Sequence, residues 1–70
     1  MKPYNNQLGK NIRYMRERKE MMQTELAKKC GITSMHLSYI ERGLRSPSVS
    51  TLQAIAKALN CSIDQLLKAG

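Results

Sequence analysis

Phenylalanine and tryptophan are both missing from the 70 residues, and tyrosine occurs three times. Without large aromatics the interior must be filled by Leu, Ile, Met and Ala, which suits packed helices. A chain this short buries only about 60% of its unfolded surface, so one domain is expected, residues 1–70, with its core over 7–68 and no separate effector unit. Histidine occurs once, as His36, and cysteine twice, as Cys30 and Cys61. Neither thiol makes a metal-ligand spacing with His36, and both stand at apolar-patterned positions, where they read as small core residues left reduced. The five carboxylates are scattered, so no nucleophile finds a base and an orienter, and no glycine-rich phosphate cradle follows a strand. Catalysis, a metal, a cofactor and a small-molecule ligand are therefore not expected. No stretch reaches the ~20 apolar residues of a membrane span, and the N-terminus lacks a signal-peptide run. A cytoplasmic protein with no membrane partner is the expectation.

Acidic residues are also scarce. Twelve Lys and Arg against five Asp and Glu leave a net charge of +7. A small basic domain suits a polyanionic partner, whose phosphates it neutralises with release of condensed counterions, although the same charge also serves solubility.

Helical periodicity runs through the chain, and strand-like alternation, internal repeats and low-complexity tracts do not occur. After a short tail, Met1 to Tyr4, Asn5 and Asn6 are candidate caps for a first helix over Gln7 to Lys19. Leu8, Ile12 and Met15 give it an inward stripe, while Lys10, Arg13 and Arg18 project elsewhere. Met21 and Met22 link it to a second helix, Gln23 to Cys30, and a third runs from Ser34 to Arg42, ended by Gly43. Leu44 to Pro47 is a loop, because proline disfavours helix at the residue before it. Ser48 caps a fourth helix with Leu52, Ile55, Ala56 and Leu59 on one face and Asn60 as left-handed terminator. Ser62 and Gln65 form a capping box for a fifth, carrying Ile63, Leu66 and Leu67. The fold class is all-α.

The corner at Gly31 is the most informative place. A helix that stops and reverses commonly ends at positive φ, which glycine adopts without steric cost. Thr33 can cap the next helix, and Ile32 between them plugs the corner. Ala27 is small enough to let the crossing helix approach closely.

The segments Ile12 through Arg16, Gln23-Thr24-Glu25-Leu26-Ala27, Cys30-Gly31-Ile32-Thr33, Ile40-Glu41-Arg42-Gly43, Pro47-Ser48 and Ala56-Lys57-Ala58-Leu59 follow one another at characteristic spacings. In these the chain resembles the helix-turn-helix family typified by phage repressors and Cro proteins, over nearly its whole length. It departs from the family at Glu20, where glycine is common, and at Met22, where a Ser or Thr cap is common.

The resemblance implies a compact five-helix, lambda-repressor-like domain with residues 23–42 as the reading unit. Double-stranded DNA is the implied partner, bound as a homodimer on a near-palindromic operator with the third helix in the major groove. With Leu37 and Ile40 inward, a turn of about 100° per residue sets Met35, Ser38, Tyr39 and Arg42 outward, with Ser34 in the first turn and His36 on one flank. Ser34, Met35, His36, Ser38 and Tyr39 are the expected base contacts, the two serines bonding base edges and Met35 and Tyr39 packing on thymine methyls. Phosphate contacts are expected from Gln23, Thr33, Arg42, Arg45 and Ser46, with longer-range charge from Lys10, Arg13 and Lys28, for which a solvated face is an equal reading. The family pattern pairs Arg16 with Glu41 as a structural fork, and Val49, Ile63, Leu66 and Leu67 are the expected dimer surface. The implied role is a transcriptional regulator, usually a repressor. The alternatives are an antitoxin or restriction controller, or a protein-interaction or RNA-associated module on the same fold.

Overall fold

The computed structural model describes residues 3–68, with side chains from residue 7 onward, as five helices and no strand: α1 (Pro3–Arg18), α2 (Gln23–Cys30), α3 (Ser34–Glu41), α4 (Val49–Ala58) and α5 (Ile63–Lys68). α1 packs on α3 and α5, α2 packs on α3 and α4, and α4 on α5. The core they enclose is aliphatic. Leu8, Ile12, Leu26, Leu37, Ile40, Ile55, Leu59 and Leu66 are fully buried, with Ala27, Leu52 and Ala56 between them. Met15, Met21, Cys30, Ile32 and Cys61 pack around its margin.

Local caps fix most helix boundaries. Thr33 Oγ1 accepts from the His36 amide at 3.0 Å, and Ser48 Oγ accepts from the Thr51 amide at 3.2 Å. The Ser62 amide donates to Gln65 Oε1 at 2.9 Å while the Gln65 amide donates to Ser62 Oγ at 3.0 Å, closing a reciprocal capping box. The first four helices all stop by the same device. A left-handed residue, in turn Glu20, Gly31, Gly43 and Asn60, lets the following amide reach back to the carbonyl five residues earlier. Those bonds run from Met21 to Arg16, Ile32 to Ala27, Leu44 to Tyr39 and Cys61 to Ala56.

Three expectations are corrected. α1 begins at Pro3, so Asn5 and Asn6 lie inside the helix rather than capping it, because proline at the first helical position has φ preset and needs no amide partner. Met1 and Lys2, assigned to the tail, lie outside the described residues. α3 ends one residue early, with Arg42 as its cap. Leu66, expected on a dimer surface, is 0% exposed and belongs to the monomer core.

One polar contact and one close approach help set how α1 meets its neighbours. Asn11 is buried on the apolar face, donating Nδ2 to the Leu66 carbonyl at 2.6 Å and accepting from Gln7 Nε2 at 3.0 Å. Gly9 lies against the end of α3, where a Cβ would fall 2.5 Å from the Glu41 carbonyl oxygen. No larger residue fits there without parting the two helices.

Candidate functional site

α2 and α3 meet at the Gly31 corner, whose φ of 72° is the turn that α3 needs to cross α2. Leu37, Ile40 and Glu41 hold the inner side of α3. On its remaining surface Met35 is 64% exposed and Arg42 is exposed, while Ser34, His36, Ser38 and Tyr39 are half-buried. The Arg42 guanidinium lies over the Tyr39 ring, 5.3 Å from its centroid. This stacking restrains two long side chains at the end of α3 before any partner arrives.

At the start of α2, Met22 occupies the cap position with extended backbone and makes no side-chain capping bond. The first-turn amides of α2 are therefore without a side-chain acceptor, and the helix dipole adds partial positive charge there. What holds this end in place comes from α1 and α3. Arg16 donates Nε to Glu41 Oε2 at 2.7 Å, Nη2 to Glu41 Oε1 at 3.1 Å and Nη1 to the Met21 carbonyl at 2.8 Å. Gln23 donates Nε2 to Glu41 Oε1 at 3.0 Å. The Arg16 and Glu41 side chains are only 10% and 2% exposed, so the fork is a buried one whose geometry fixes the helix ends.

The remaining sequence-derived candidates fall around this unit. Thr33, Arg45 and Ser46 are exposed, and the Arg45 amide donates to the Tyr39 carbonyl at 3.3 Å, which seats the loop after α3 on the end of that helix. Lys10 and Lys28 are exposed; Arg13 is also exposed but shares its charge with Glu17 at 3.1 Å. Val49 is 71% and Leu67 37% exposed, and Ile63 is half-buried against the core. Burial pushes the Cys30 thiol above its usual range, and burial likewise raises that of Cys61 against an opposing pull from Lys19. Both cysteines are free.

Three features lie outside the sequence-derived candidates, two of which carried a readable signal. Leu44, in the loop after α3, is 64% exposed between Gly43 and Arg45. Its signal was available, since it belongs to no apolar stripe. The bond from Gln23 to Glu41 had no such signal, because it depends on how α2 and α3 cross. Asn11 could have been flagged as a polar residue in an apolar stripe, which demands a buried partner.

Among the described residues no helix is long and apolar enough to cross a membrane, and no three His, Cys, Asp or Glu side chains gather as a metal site would require.

A family model described as helix-turn-helix matches residues 12–66. The uncharacterized HTH-type transcriptional regulator Rv0474 of Mycobacterium tuberculosis is 43% identical over 58 residues, covering 83% of this chain and 41% of that protein. The chain thus spans about two-fifths of the length of that curated relative. Among solved structures, the P22 c2 repressor in complex with synthetic operator 9T superposes with a TM-score of 0.84 at 36% identity, over 90% of this chain and 96% of that one. SinR, a master regulator for biofilm formation, solved in complex with DNA, gives a TM-score of 0.81 at 35% identity, over 87% of this chain and 98% of that one.

Proposed function

Because this chain belongs to the helix-turn-helix family of transcriptional regulators, matched over residues 12–66, we propose that it binds double-stranded DNA sequence-specifically and acts in the cytoplasm as a repressor. The observation that carries this reading is the free outer side of α3, with Met35 64% exposed beside the uncapped start of α2. A rod presenting small hydroxyls and an exposed thioether suits the major groove, and unpaired amides at a helix start suit a phosphate. The relative solved on an operator, at 96% coverage of its chain, supports the same reading.

In this account α3 enters the major groove. Ser34, His36 and Ser38 bond base edges, while Met35 and Tyr39 pack on thymine methyl groups. Phosphates are held at the start of α2 around Gln23, at Thr33, and by Arg42, Arg45 and Ser46. Lys10, Arg13 and Lys28 supply weaker, longer-range attraction. Two copies bind a near-palindromic operator with their reading helices about 34 Å apart. Val49, Ile63 and Leu67 form the contact between copies, without Leu66.

Selection of bound duplexes from a random DNA pool, followed by a gel shift at rising salt, tests the proposal. A palindromic consensus and an affinity that falls linearly in log salt are expected. Retention of no duplex at low salt, or binding without salt dependence, refutes it.

A further inference from the structure

One side chain joins the start of α2 to the end of α3, and it sits where a phosphate is expected. Gln23 donates Nε2 to Glu41 Oε1 at 3.0 Å, and that carboxylate is already forked by Arg16. A carboxylate only accepts, so the amide nitrogen of Gln23, not its oxygen, must be the atom facing Glu41. An amide nitrogen carries two hydrogens. Glu41 takes one, and the second is held in a fixed direction by the planarity of the amide group.

We infer that Glu41 is a positioning residue for DNA binding: it clamps one N–H of Gln23 so that the other is held ready for the phosphate at the start of α2. This rests on the proposed DNA-binding role. Three observations make the clamp suited to the task. Gln23 is half-buried, so the side chain is bonded to the protein on one side and still in reach of solvent. The cap position before it, Met22, offers no side-chain acceptor that would compete for the α2 amides. Arg16 neutralises Glu41 in a buried fork, so that the carboxylate orients Gln23 without presenting an uncompensated negative charge to the approaching phosphate. The rotamer freedom that a glutamine would otherwise lose on binding is thereby lost in folding.

The test follows the two side-chain amide protons of Gln23 by NMR, first in the free protein and then on a duplex selected from the random pool. One proton is expected to be shifted by the carboxylate already in the free protein and to stay in place on DNA. The other should move only when DNA is added. Gln23→Met should weaken binding of the two-copy complex by about a hundredfold, about tenfold for the one hydrogen bond to a charged group lost in each copy, and leave the slope against log salt unchanged because no charge is removed. Its melting temperature checks that the fold persists. If the wild type binds DNA but both protons move together, or neither moves, the inference is overturned while the DNA-binding role stands. If the wild type binds no duplex, both are overturned.

Discussion

Glu20 stands in the left-handed region at φ 56° with no small side chain or local amide to ease it. A non-glycine residue there costs about 1–2 kcal/mol, offset in part by the lower chain entropy it brings to the unfolded state. Glu20→Gly should therefore raise stability by about 0.5–1 kcal/mol and the melting temperature by roughly 3–6 °C. The same replacement at Gln53, exposed inside α4, should lower stability by about 1 kcal/mol, and thermal denaturation of the two variants separates the effects. Residues of this kind divide by how local their cause is. Gly31, Gly43 and Asn60 were legible as helix terminators because glycine and asparagine tolerate left-handed backbone. Glu20 carries no such mark, and only the family's preference for glycine at that position pointed to strain. Gly9 was silent for a different reason, since it answers to a helix far along the chain, and Asn11 signalled a buried partner without saying that it was the Leu66 carbonyl.

The beginnings and ends of helices record the same division at the next scale. α3 and α4 were placed by their caps, Thr33 and Ser48, which are decided within a few residues. α1 was placed four residues late, because two asparagines and a proline all signal a start and the proline lies further upstream. The outer side of α3 followed from a constant turn per residue, whereas the partner of Gln23 needed the crossing of two helices. Met22 is the element-scale weakness. A carboxylate at that cap should stabilise α2 by about 1 kcal/mol. It should also occupy the amides offered to a phosphate and repel the phosphate itself. Met22→Asp is thus expected to melt later than the wild type yet bind DNA at least about tenfold more weakly, measured by denaturation and by gel shift on the same preparation. A variant that melts later and binds equally well would remove the start of α2 from the phosphate frame.

For the whole molecule, assembly of two copies reduces to a few side chains. Val49 is 71% exposed at the first position of α4 and makes no contribution to the core. Val49→Glu should leave the monomer's stability within about 0.5 kcal/mol while shifting a concentration-dependent dimer toward monomer in sedimentation equilibrium. An unchanged association curve would place the contact between copies elsewhere. Asn11 near the beginning of the chain grips the Leu66 carbonyl near its end, across 55 residues and in a buried setting. Peeling α5 away would strand both an amide and a carbonyl in an apolar interior, and would uncover the base of α1 at the same time. α5, six residues long and too short to persist alone, is thus fastened like a buckle rather than left to fray.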